Sequence, residues 1–260
     1  MVHEPFSLAG ARVLISNDDG IRAPGLEVLE QTMRRLAAEV WVVAPDTEQS
    51  AASHSLTIRR PLYVREVAER RFSVDGTPTD CVLLAVHKVM RDCPPDLVLS
   101  GINRGGNMGE DAAYSGTVAA AMEGTLLGFR SVALSLFYDD RAAVKWETAA
   151  CWTGHVLARL AAARWPKDTL INVNFPDVAA GAVSGIEVTR QGRRKIGGAI
   201  VEGFDPRGER YYWIGAGREE VRGQAGTDLE AVCRGAVSVT PLHRNLTHAA
   251  ALDALRAAFA

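Results

Sequence analysis

Two adjacent carboxylates, Asp18 and Asp19, stand in "RVLISNDDG" (12–20), where an apolar run breaks abruptly into Asn17, Asp18, Asp19 and Gly20. Like charges side by side repel, and neither enters a core unpaired. Two arrangements satisfy them: a water-facing turn, for which N-D-D-G is good chemistry, or a bound cation. With an asparagine and a serine as companions, the donors would all be oxygens. Such a set suits a hard dication such as Mg²⁺ or Mn²⁺, whereas Zn²⁺ would call for His or Cys.

A second group lies in "YSGTVAAAMEG" (114–124). Ser115 or Thr117 can cap the Ala-rich helix that follows. The free N–H groups of its first turn, with the helix dipole, form an anion site, and Gly116 lets a phosphate approach the backbone. A plain N-cap without ligand is the simpler reading of S-G-T by itself. The preceding "NRGGNMG" (103–109) offers Asn103 and Asn107 as neutral ligands or donors. No G-K-[ST] follows, so it is not a Walker loop. Ser50 is either a metal or phosphate ligand or a turn residue. His54, the one histidine in a candidate loop, is either a general acid or a structural side chain. "DGTPTD" (75–80) reads as a turn into a helix capped near Thr79 or Asp80. Arg190, Arg193 and Arg194 either steer an anion or form a solvated basic loop.

These residues need a frame. "RVLIS" (12–16), "VWVVAP" (40–45), "DLVLSG" (96–101), "SVALSL" (131–136) and "LINVNFP" (170–176) are short, continuous apolar runs, the pattern of parallel strands covered on both faces. Helical spacing fills the intervals 26–39, 79–90, 116–128 and 146–165. Alternating strand and helix predict an α/β, doubly wound, mostly parallel sheet. In such a sheet, ligands bind beyond the carboxyl ends of the strands, where strand order reverses, and the polar segments 17–25, 44–55 and 102–117 fall at the ends of the first three runs. After Pro176 the pattern changes. "AIVEGF" and "RYYWIG" flank the turn "DPRGE", which predicts a long hairpin whose aromatic residues pack on another subunit. A returning strand (235–242) and a terminal helix (248–260) close the chain. The expected organisation is one unit over 1–260: a core of about 11–190 plus 235–247, a hairpin arm of about 193–217, and the C-terminal helix of about 248–260.

Composition narrows the function. A formal net charge of -2 supplies no broad basic face for a nucleic acid polymer. No apolar run is long enough to cross a membrane, and the first residues lack the basic-then-apolar order of a signal peptide. The four cysteines are scattered, which fits reduced thiols. A cytoplasmic protein is expected.

Together and in this order, "LISNDDGIRAPGL", "VVAPDTEQSAASHSLT", "DGTPTDCV", "PDLVLSGINRGGNMGEDAAYSGTVAAAMEG" and "GTDLEAVCRGAVSVTPL" resemble the survival protein SurE family of metal-dependent 5′/3′-nucleotidases, over about residues 11–242. The resemblance implies a Rossmann-like core, one divalent cation per subunit (Mg²⁺ or Mn²⁺), and hydrolysis of nucleoside monophosphates. It also implies a homo-dimer or homo-tetramer in which hairpin and tail reach across subunits. Matched by motif, the metal ligands are Asp18, Asp19, Ser50 and Asn103. The phosphate lies near Asn107, Ser115, Gly116 and Thr117, and Asp18 and Asp19 are the catalytic pair. Water is the expected nucleophile, with attack by an aspartate, through a phospho-aspartate, as the alternative. About ten extra N-terminal residues precede the first strand and should not touch the site. Two other functions suit the same residues: a phosphatase for short polyphosphate or another phosphorylated metabolite, and a non-catalytic nucleotide-sensing module.

Overall fold

The computed structural model describes residues 1–138, 143–196, 200–214, 218–220 and 223–259. Nine strands form the central sheet: β1 (Arg12–Ser16), β2 (Glu39–Pro45), β3 (Val64–Ala68), β4 (Arg71–Val74), β5 (Leu97–Arg104), β6 (Arg130–Leu136), β7 (Thr169–Phe175), β8 (Ile186–Val188) and β9 (Val237–His243). Their order is β8-β9-β7-β6-β5-β1-β2-β4-β3. The run from β7 through β6, β5, β1 and β2 to β4 is parallel, while β3 pairs antiparallel with β4 and β9 with β7. From β1 the chain first winds to β2 and later returns to β5 on the other side. The gap between β1 and β5 is therefore the switch point at which a doubly wound sheet leaves a crevice.

Alternation along β1 shows why its apolar run is unbroken. Val13 and Ile15 face Leu26, Leu29 and Met33 of α1 (Pro24–Met33) and Val156 and Leu157 of α4 (Trp146–Ala162). Leu14 faces the other way, toward Cys81 and Val82 of α2 (Pro78–Leu84) and Ala120 of α3 (Gly116–Leu126). Each face buries a helix pair, so neither can be polar. Burial of each of these Val, Leu, Ile and Met side chains stabilises the fold by roughly 1.5–3 kcal/mol.

The five expected strands and four expected helices are present, with shifted ends. α1 stops at Met33 rather than 39, because the amide groups of Ala38 and Glu39 turn back to the Ala11 carbonyl and lead into β2. α2 is capped by Thr77, not Thr79 or Asp80. Its side chain accepts from the Asp80 amide, and Asp80 accepts from the Thr77 amide in return, a capping box. The edge strand β3 carries no core signal, since all five of its residues are exposed.

The hairpin is present: Ile200–Phe204 pairs antiparallel with Arg210–Ile214. Asp205 Oδ1 closes its turn by accepting from the amides of Arg207 and Glu209, each at 2.8 Å. The expected ends of its arms, Ala199 and Gly215, lie outside the described residues. α5 (Asp228–Cys233) precedes β9, and α6 (Ala249–Ala258) ends the chain with every residue exposed. The N-terminal extension is docked: Val2–His3 pairs with Trp165–Pro166, and the Phe6 amide donates to Ala161.

Candidate functional site

The dyad sits where β1 stops. Asn17 is buried and its Nδ2 donates to the Gly20 carbonyl at 3.0 Å, tightening the turn. Gly20 adopts φ +97° against the backbone of Thr47 and Glu48, a conformation that side chains resist. This turn sends the two carboxylates to different neighbours. Asp18 packs on the first turn of α3, where a Cβ on Gly116 would stand 2.7 Å from the Asp18 Cβ. Thr117 Oγ1 donates to Asp18 Oδ1 at 2.5 Å. Asp19 Oδ2 instead accepts the main-chain N–H of Arg104, at 3.2 Å, from the end of β5.

Both carboxyls lie above their ordinary range. Burial pushes Asp18 up to about 6 against the opposing hydrogen bond from Thr117, and the neighbouring Asp19 adds to the rise. Burial also raises Asp19, with Glu48 adding repulsion and Arg104 opposing it. Ionising both carboxyls therefore costs more here than in water, a cost that a bound cation would offset.

Around the dyad lies a cleft of about 620 Å³. Ser50, Asn103, Asn107 and Ser115 line it together with Asp18 and Asp19, so three loops leaving three strand ends do converge. Asn103 follows a register shift between Ser100 and Asn103 that re-aims the end of β5. Its Nδ2 donates to Gly105 at 2.8 Å, leaving Oδ1 as the ligand atom it can offer. Ser50 Oγ donates to Glu48 Oε1 at 2.5 Å. Among the described residues, no three His, Cys, Asp or Glu side chains cluster around a common point. The available set is thus two carboxylates plus the neutral oxygens of Ser50 and Asn103, which fits a hard, partly hydrated dication.

The SGT triplet divides its roles. Ser115 caps α3 by accepting the Val118 amide at 3.0 Å. Gly116 supplies the close approach to Asp18, and the Thr117 hydroxyl is spent on Asp18, buried behind the cleft wall. Asn107 is held on all sides. Its amide donates to Asn174 Oδ1 at 2.8 Å, its carbonyl accepts from Asn172 at 2.8 Å and Asn174 at 3.2 Å, and its Nδ2 donates to Ser135 at 2.9 Å.

His54 is not a lining residue; its Nε2 lies 2.9 Å from Glu123 Oε2 and ties the 46–63 loop to α3. Arg194 is not solvated but buried beside Asp111 at 3.4 Å, whereas Arg193 is exposed and 3.9 Å from Glu110. Arg190 donates to Ala225 at 3.2 Å. Sequence reasoning missed Glu48, Arg104, Tyr138 and Trp146 on the cleft wall, and Asn172 and Asn174 behind it. The two asparagines carried a signal: polar residues inside an otherwise apolar buried strand require partners.

The sequence profile of the survival protein SurE family matches residues 13–198. "5′-nucleotidase SurE" of Paramagnetospirillum magneticum is 62% identical over 258 residues, covering 99% of this chain and 98% of that one. The protein of the same name from Rhodospirillum rubrum is 56% identical, covering 97% of each. Among solved structures, the SurE protein from Aquifex aeolicus superposes with a TM-score of 0.84 at 40% identity, over 96% of this chain and 100% of that chain.

Proposed function

The chain belongs to the survival protein SurE family, and we propose that this 5′-nucleotidase hydrolyses nucleoside 5′- and 3′-monophosphates with a divalent cation held by Asp18, Asp19, Ser50 and Asn103. The observation that carries the reading is the dyad itself: two adjacent carboxylates at the sheet's switch point, largely withdrawn from water and both raised. A fold gains nothing from such a pair unless positive charge arrives. When bound, Mg²⁺ or Mn²⁺ would offset phosphate charge and make water a competent nucleophile near neutral pH.

The chain's own groups supply the rest. Thr117 and the Arg104 amide fix the two carboxylates in orientation, so that little rearrangement is needed during reaction. Either carboxylate can orient the attacking water or take its proton. Asn107, locked by Asn172, Asn174 and Ser135, lines the cleft together with Ser115 at the start of α3, where phosphoryl oxygens gain from amide donors. Trp146, Val144 and Tyr138 add apolar and aromatic surface to the cleft wall, the kind of lining a nucleoside uses.

The hairpin supports an oligomer. Ile200, Val201, Phe204, Tyr212, Trp213 and Ile214 are each more than half exposed, an apolar surface suited to a second copy of this chain. No described helix is long and apolar enough to cross a membrane, and a cytoplasmic setting suits the substrate. Phosphate release from a panel of 5′- and 3′-nucleoside monophosphates and short polyphosphate, with metal-stripped protein and Mg²⁺ or Mn²⁺ restored, tests this reading. Metal-restored turnover of nucleotides is expected. Nucleotide binding without phosphate release would replace it with the sensing function.

A further inference from the structure

We infer that Arg104 contacts the substrate, its guanidinium gripping the phosphate of the bound nucleotide; this deepens the hydrolase reading above and rests on it. Arg104 ends β5 directly after Asn103. It is the only cationic side chain among the described residues lining the cleft, against four carboxylates: Asp18, Asp19, Glu48 and Asp111. Asp111 is answered by Arg194, 3.4 Å away. The other three carry one charge more than a dication offsets, and a phosphate monoester brings further negative charge. Entry of that anion needs one more cation on the wall, and Arg104 is the residue in place to supply it.

Its geometry fits the task. The guanidinium lies over the Tyr138 ring, 5.1 Å from the centroid. A cation over an aromatic ring is held without a protein acceptor, so its N–H donors, a planar fork matched to phosphate oxygens, remain to be used. Among the described residues, the side chain makes no salt bridge and donates to no protein acceptor. The main-chain N–H of the same residue donates to Asp19 at 3.2 Å. One residue thus serves both halves of the site: its backbone holds the carboxylate, and its side chain meets the anion. A side-chain substitution separates them, because the amide remains.

The test compares wild type, Arg104→Gln and Arg104→Lys, each full length and loaded with Mg²⁺. Binding of inorganic phosphate is measured by calorimetry, beside phosphate release from AMP. Arg104→Gln should weaken phosphate binding about ten- to a hundredfold and raise KM for AMP, while the melting temperature stays at the wild-type value and Mg²⁺ affinity does not fall. Arg104→Lys should recover part of the loss, since it restores the charge but not the fork. Phosphate binding by Arg104→Gln equal to wild type would overturn the inference. Weakened binding of adenosine with phosphate binding intact would overturn it too, by placing the side chain against the base. If wild type releases no phosphate from AMP, the hydrolase reading fails, and the phosphate-binding comparison still decides the role of Arg104.

Discussion

The Thr117 hydroxyl donates to Asp18 Oδ1 across 2.5 Å, joining the first turn of α3 to the end of β1, residues 99 positions apart in sequence. The same contact fills the buried side of the carboxylate, so Asp18 keeps its other oxygen for the cleft. Thr117→Val retains shape and removes the donor. It should lower metal affinity or kcat/KM about ten- to a hundredfold, the usual cost of losing a partner that orients a ligand. Thr117→Ser should stay near wild type. Metal titration and steady-state kinetics on both variants check this.

Because burial disfavours the Asp18 carboxylate, the metal-free protein carries the cost of a charge placed for function. Asp18→Asn keeps an acceptor for Thr117 and removes that charge. At pH 8 the stripped variant should be more stable than stripped wild type, by on the order of 1–3 kcal/mol in urea denaturation. Added Mn²⁺ should then raise the melting temperature of wild type and leave the variant unmoved.

Gly25 lies in the first turn of α1, where a Cβ would overlap the Ile102 carbonyl and stand 2.9 Å from the Trp146 ring. Gly25→Ala forces α1 and β5 apart one residue from Asn103. The expected cost is about 1–3 kcal/mol of stability. Activity should fall further than that loss explains, which kcat/KM measured well below the melting transition will show.

The docked N-terminus predicts a pH response away from the site. His3 is buried against Trp165, ring centroids 5.7 Å apart, and among the described residues its Nε2 has no hydrogen-bond partner. Burial, with Arg130 and Lys167 nearby, depresses its pKa from 6.5 to about 4. The unfolded chain therefore binds more protons than the folded one between those values, and stability rises with pH through that window. The contribution is complete above 6.5 and is lost as pH falls through about 4. His3→Phe keeps the ring contact and should flatten this part of the stability curve, as read by denaturation from pH 4 to 7.

For the hairpin, Trp213→Asp places a charge on the exposed aromatic face without touching the core. A smaller mass by light scattering, with the melting transition still cooperative, is the expected outcome. An unchanged mass would remove the hairpin from the subunit contact.

What was legible in the sequence follows from the range of the interactions involved. β1 and β6 announce themselves because both their faces are covered, which forces continuous apolar runs. Asp18, Asp19 and Asn103 announce themselves because polar residues interrupt those runs at their carboxyl ends. The end of α1 was not legible: Leu36 and Ala37 continue the helical spacing, and only the long-range bond from Ala38 to Ala11 stops the helix. β3 was hidden because an exposed edge strand has no buried face to print a period. The pairing of His54 with Glu123, the clasp of Asn172 and Asn174 on Asn107, and the placement of Arg104 over Tyr138 are all tertiary contacts. No local pattern specifies them, so the sequence leaves His54 open between a general acid and a structural side chain and assigns Arg104 no role.

The most direct test of the central claim is phosphate release from a nucleoside 5′-monophosphate by metal-stripped protein, with and without Mn²⁺, wild type beside Asp19→Asn. The account predicts no turnover without metal, restored turnover in wild type, and at most about a hundredth of that rate in Asp19→Asn, whose fold should persist because the Arg104 amide keeps an acceptor. Full turnover by stripped protein, or equal restoration in both proteins, would contradict it.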